Sequence, residues 1–357
     1  MTFTRRGKIA VTAGTVVALS GAGVGALALT GHAPAPIQKA FDTVTGTEHT
    51  QAPPPACPLT GVEAPGGTIP NRPALAIKVE NAPEARPQTG LNKADVVFEE
   101  PVEGGLTRFI AVYHCGDANK VGPVRSGRME DPDVLVQLGR PVMGFAGGAN
   151  PVKKAIDRSG VVDVNYVVAP KAYTRDETRT APHNLYTTTA ALWKAGAKAS
   201  KTHGGVPPPL FTYSDEIDGK SKRAGQVHLP FSDSSNVYWR WSAKEHAWLR
   251  SHGTEPHTLT DGGQVAATNV VVMQVKVGTS EIVDAAGNHS PEVKLTGKGR
   301  AYVFRGGRVI AGRWERPTLQ DVTRFVTKSG DEIALAPGRT WVELLPTTIG
   351  VETAKRG

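Results

Sequence analysis

Cysteine is almost missing from this chain: 357 residues contain two, Cys57 and Cys115. Two cannot build a disulfide-dense scaffold or a thiolate metal cage, and the scattered histidines show no ligand spacing, so no metal site is expected. Charge and aromatic content are also modest. Charged residues make up 21% and aromatics 6%. No Lys/Arg block is interleaved with aromatics, which argues against nucleic acid as a partner despite a formal net charge of +8. Several enzyme signatures are absent as well: there is no Gly-x-Ser-x-Gly, no Ser-x-x-Lys and no His-Glu-x-x-His. Gly219-Lys220-Ser221 resembles the end of a phosphate loop, but Ser214 stands where that loop needs its first glycine. No cofactor is expected.

The N-terminus is the first positive signal. Arg5, Arg6 and Lys8 precede residues 9–30, which carry no charge. Such a run is a signal peptide or a retained membrane anchor with its basic end inside, and its length favours retention. The remainder is then extracytoplasmic, membrane-anchored or secreted. Residues 1–33 are assigned to this segment and 34–56 to a disordered tether rich in proline. No cysteine ends the run where a lipid-anchored protein needs one. Outside the cytoplasm Cys57 and Cys115 are either joined, worth roughly 4 kcal/mol for a loop this long, or two separate buried thiols.

Forty glycines and 27 prolines point to turns and a sheet-rich body. Residues 75–79, 94–99 and 106–113 alternate as strands. In the last of these Leu106, Arg108, Ile110 and Val112 share one face and Phe109, Ala111 and Tyr113 the other, so it is expected to be central and covered on both sides. Helices are expected at Asp131-Pro132, from Asn150-Pro151 to Gly160, and from the threonines 187–189 through Trp193. A buried strand at 142–146 separates the first two. From Phe211 onward strands dominate, at 227–231, 236–241, 247–251, 269–277, 301–304, 308–314, 332–335 and 340–345. Gly306-Gly307 should turn a hairpin. The C-terminal third therefore reads as an antiparallel sheet or small barrel.

Two polar constellations stand out. The first joins Glu99, Glu100, Glu103 and Arg108 to Arg125, Arg128 and Asp131. An arginine on a covered strand must be paired or lose solvation, and Glu103 or Glu99 is the expected partner of Arg108. The second surrounds His183 and Asn184 with Arg175, Asp176 and Arg179. The first set is either an internal salt-bridge network or the lining of a cleft for an anionic or sugar-rich ligand, and His183 in the second is either a general base or ligand donor or a hydrogen-bonded structural residue. Gly147-Gly148 before Asn150 could expose backbone N–H groups to an anion. Trp239, Trp241 and Trp248 could stack on sugar rings, although core packing is the commoner role.

The runs Arg72–Asn81, Ala85–Leu91, Ala94–Glu99, Val102–Phe109, Gly122–Ser126 and Ala181–Tyr186, with Gly297–Tyr302 and Pro337–Trp341, resemble the YerB-like family of bacterial envelope proteins over residues 57–347. That resemblance implies an α/β (α+β) fold, with a layered sandwich N-terminal domain at 57–210, a β-rich C-terminal domain at 211–347 and a tail at 348–357. It implies no activity. Many such proteins look like lipoproteins, and this chain departs in lacking the acceptor cysteine. The favoured expectation is binding of a cell-wall polymer or envelope protein, without catalysis, through Glu103, Arg108, Arg125, Arg128, His183 and Asn184. The alternative is a hydrolase or transferase on wall glycan or phosphodiester, with Glu99, Glu103 and His183 as catalytic candidates.

Overall fold

A computed structural model of the chain describes residues 54–200, 205–217, 221–284 and 287–355. The basic and apolar N-terminal segment and most of the tether lie outside these residues, as do Gly219 and Lys220. Among the described residues no helix is long and apolar enough to cross a membrane.

The first part of the fold contains β1 (Leu75–Glu80), β2 (Val96–Pro101), β3 (Thr107–Tyr113), β4 (Val142–Gly144), β5 (Val162–Asp163), β6 (Tyr173–Arg175) and β7 (Leu185–Thr187). It also carries α1 (Glu130–Leu135), α2 (Asn150–Ser159) and α3 (Thr189–Ala199). The second part is all strand. It runs β8 (Lys222–Arg223), β9 (Gln226–Ser232), β10 (Ser235–Ser242), β11 (Ala247–His252), β12 (Glu255–Pro256), β13 (Ala266–Ala267) and β14 (Asn269–Val283). Then follow β15 (His289–Lys294), β16 (Gly297–Arg305), β17 (Arg308–Arg316), β18 (Arg324–Val326), β19 (Thr340–Pro346) and β20 (Glu352–Ala354).

Twelve strands make one mixed sheet with the path β18-β17-β16-β14-β19-β2-β3-β1-β4-β5; β15 adds to β14 and β8 to β17. A second sheet follows β12-β11-β10-β9-β20, with β13 on β11, and β6 pairs with β7. The antiparallel expectation for the C-terminal third fails at β19, which runs parallel to both β14 and β2. That strand joins the two parts in one sheet. Residues 332–335 form no strand and make only isolated bridges, Val326 to Glu332 and Tyr213 to Leu335.

Strand alternation decides what each face buries. Leu75, Ile77, Val79, Val97, Phe109, Ala111 and Tyr113 share one apolar cluster with Leu192 of α3 and with Val227, Leu229, Trp239 and Trp248 of the second sheet. Ala76, Val96, Phe98, Ile110 and Val112 turn the other way, into a cluster with Val134, Leu135, Val152 and Ile156 of α1 and α2. β3 is thus covered on both faces. Each fully buried aliphatic or aromatic side chain contributes about 1.5–3 kcal/mol on this account. Trp239 and Trp248 are fully buried and belong to the core rather than to a sugar platform.

Several element ends follow local chemistry. Thr188 caps α3, its hydroxyl accepting the Ala191 N–H at 3.0 Å, and α2 stops at Gly160 with φ 86°. Gly306 and Gly307 turn β16 into β17 with φ of 54° and 69°. Asn150, expected to cap α2, is instead its first residue and makes no cap bond. The two cysteines are joined, Cys57 to Cys115 with Cα atoms 6.1 Å apart.

Candidate functional site

The strand register lines up charge across three neighbours. Glu80 of β1 and Glu100 of β2 both lie opposite Arg108 of β3, on the face whose inner rows are Ala76, Val96, Ile110 and Val112. One row further in, Lys78 is fully buried beside Ile110. A second segment then reaches this row. Val124 bridges to Val79, the Arg125 N–H donates to the Lys78 carbonyl at 2.9 Å, and the Val124 N–H donates to the Leu185 carbonyl at 2.6 Å. Residues 121–125 are therefore clamped between β1 and β7. This brings Arg125 and His183 to Glu80.

Glu80 is the hub. Its Oε1 accepts from Arg125 Nε at 2.7 Å, and its Oε2 accepts from His183 Nδ1 at 2.9 Å. The imidazole is thereby oriented through Nδ1, with its side chain 20% exposed. Arg128 makes a two-pronged pair with Glu103, Nε and Nη2 lying 2.9 and 2.5 Å from Oε2. Ser290 also donates to Glu103. Burial alone would raise the Glu103 pKa, but the bonds from Arg128 and Ser290 outweigh it and the net shift is downward.

Arg108 lies between these pairs and is not matched as expected. Neither Glu103 nor Glu99 makes an ion pair with it. Its Nη1 donates to the Ser126 carbonyl at 3.2 Å, a carbonyl that Arg128 Nη1 also approaches at 3.5 Å. Burial pushes its pKa down to about 10; Arg128 and Arg125 push the same way, while Glu103 and Glu80 resist. Asn184 points elsewhere, its Oδ1 accepting from Arg175 Nη1 at 2.6 Å. The structure thus gathers Glu103, Arg108, Arg125, Arg128 and His183 in one linked series, with Asn184 bonded outside it. Glu80 was not singled out by the sequence. Its placement two residues after Lys78 on one strand face was the available signal.

Glu99 belongs to another network. It points from β2 into the opposite, fully buried face. There Arg250 grips it with Nη2 at 2.8 and 2.9 Å from its two oxygens, and Thr107 donates at 2.6 Å. The neighbouring Glu343 is driven well above the usual carboxyl range by burial and by Glu99, and it accepts from Trp239 Nε1 at 2.7 Å. Arg250 also meets His257, which bonds Gln88. Burial and the Arg250 charge depress His257. Enclosed and fully bonded, Glu99 cannot touch a ligand. This removes it from the catalytic candidates.

Asp131 likewise turns inward rather than capping α1. Its Oδ1 accepts from Lys78 Nζ at 2.6 Å, and its Oδ2 accepts from the Arg128 N–H at 2.8 Å. Glu100 completes the grip on Lys78. Burial raises Glu100 well above its ordinary value. Lys78 stays raised despite its own burial, because Asp131 beside it holds its charge. Among the described residues no group of three or more His, Cys, Asp or Glu is placed to hold a metal ion. The site's chemistry is therefore that of three guanidinium groups, two carboxyl groups and one oriented imidazole.

Comparison with known proteins places this arrangement in context. Residues 59–203 match the N-terminal domain, and residues 227–342 the C-terminal domain, of a family described as protein of unknown function DUF3048. The chain is 30% identical over 294 residues to YerB of Bacillus subtilis (strain 168), covering 81% of this chain and 86% of the relative, whose name proposes a lipoprotein. The crystal structure of YerB from Bacillus subtilis aligns with a TM-score of 0.71 at 25% identity, covering 84% of this chain and 99% of the other.

Proposed function

The chain belongs to the DUF3048 family, and from that premise we propose that it is an envelope protein that binds an anionic group of a cell-wall polymer at the arginines 108, 125 and 128, without catalysis. Three features support the location. The relative's name points to a membrane-attached protein, the N-terminal sequence reads as an export segment, and a disulfide suits an oxidising compartment. Because the chain's two cysteines are bonded to each other, neither offers a thiol for a lipid. Attachment then falls to the apolar run.

One observation carries the binding reading. Arg125 and Arg128 each hold a carboxylate, whereas Arg108 has no ion pair among the described residues and uses a single N–H on a backbone carbonyl. A guanidinium with unspent donors, flanked by two more cations, is suited to a phosphate or carboxylate. The test is retention on purified anionic wall polymer together with analysis for new products. Retention without turnover is expected, with Arg108→Gln weakening it roughly tenfold, as the loss of a charge-assisted bond implies. The Glu80–His183 pair favours a second reading, in which His183 is a general base oriented by Glu80. Product formation abolished by His183→Gln would establish that reading instead.

A further inference from the structure

A groove of about 720 Å³ lies between α3 and the loop formed by residues 164–172, and none of the binding residues discussed above lines it. We propose that it takes a single-chain anionic amphiphile, with the apolar tail against the groove walls and the acidic head on its lysines. The helix side of the groove follows from how α3 is seated. Leu192 is fully buried, and Gly196 lies so close to β4 that an added Cβ would come within 2.6 Å of Val142 Cγ2. Ala195, partly buried on the flank, offers only a methyl group, so space remains beside it.

The loop side is built rather than loose. Asn165 is buried, and its Oδ1 accepts the N–H groups of Val167 and Val168 at 2.7 and 3.2 Å, while its amide donates to Asp163 at 2.9 Å. This turn holds Val167 78% and Val168 58% exposed. Two adjacent valines held in water give the loop an apolar surface. Val164 and Val168 continue it into the groove. The lining also contains Lys171, Lys194 and Lys198 and no carboxylate. All three lysines are exposed. A free anion would leave the apolar walls unused, and a neutral lipid would leave the cations unused. A ligand with both parts matches the size and mixed lining of small-molecule sites.

The test uses residues 55–357, a compact unit that holds every described core residue and both cysteines. Calorimetric titration below the micelle concentration would compare lysophosphatidylglycerol, lysophosphatidylcholine and glycerol phosphate. Saturable one-to-one binding of the first is expected, with the second at least about tenfold weaker and the third not detected. Ala195→Trp should fill the groove and abolish binding while the thermal transition is retained. In the parent background, Lys194→Glu with Lys198→Glu should weaken lysophosphatidylglycerol binding roughly tenfold, and this exposed pair decides the matter if the tryptophan variant does not fold. Arg108→Gln should leave lipid binding unchanged, which separates this site from the wall-polymer reading. The proposal is overturned by equal affinity for the two lipids, by glycerol phosphate binding as tightly as lipid, by indifference to the charge reversals, or by a dimer that Ala195→Trp dissolves.

Discussion

Glu130 illustrates burial without a partner. Neither of its carboxyl oxygens has a hydrogen-bond partner among the described residues, and burial, with Asp131 adding to it against the pull of Lys78, raises its pKa from 4.5 to about 8. Between those values the folded protein keeps a proton that the unfolded chain has released. Its contribution to stability is therefore complete below the lower value and is lost as pH rises through the upper one. Glu130→Gln should melt above the parent at pH 8, with the gap closing toward pH 4.5; a constant gap in melting temperature across that range would contradict the assignment. Glu99 is the opposite case, a buried carboxyl group with both oxygens bonded. Glu99→Ala strands Arg250 in the core and should cost about 3–5 kcal/mol in denaturant unfolding. These residues also show the limit of the sequence. Lys78 and Glu80 alternate with Ile77 and Val79, the pattern of a half-exposed strand, and nothing local announces that Asp131, Glu100 and Arg125 will cover them.

Elements were legible where their signals are short-range. The two faces of β3, the helix start at the threonines 187–189, the Gly160 stop and the Gly306-Gly307 hairpin each depend on a few neighbouring residues, and each is present in the fold. The hairpin gives a direct check. Gly307 has φ 69°, and an added Cβ would sit 2.8 Å from Trp241 Cδ1. Gly307→Ala should destabilise by about 1–3 kcal/mol through backbone strain and displacement of that ring, measurable by thermal or urea unfolding. What escaped the sequence was partner choice. The strand at 340–345 was recognisable, but its parallel alignment between β14 and β2 depends on residues more than 50 positions away. Arg108 was correctly placed on a covered face, yet its expected carboxylates went to Arg128 and Arg250.

At the scale of the whole molecule, two features tie distant chain together: β19, which completes one sheet from both parts, and the Cys57–Cys115 bond across a sequence separation of 58 residues. Replacing both cysteines by serine should remove roughly 4 kcal/mol on the chain-entropy account, seen as a lower urea midpoint with the fold retained. The same frame holds the segments that carry Glu80, Arg108, Arg125, Arg128 and His183 in fixed register, which is what lets three arginines stand together without collapsing onto one carboxylate. Equilibrium titration of residues 55–357 with purified anionic wall polymer, at low and high salt, measures whether that charge is used. We expect Arg108→Gln to raise the dissociation constant roughly tenfold and to reduce its salt dependence. An unchanged constant and an unchanged salt response would mean that Arg108 does not meet the polymer.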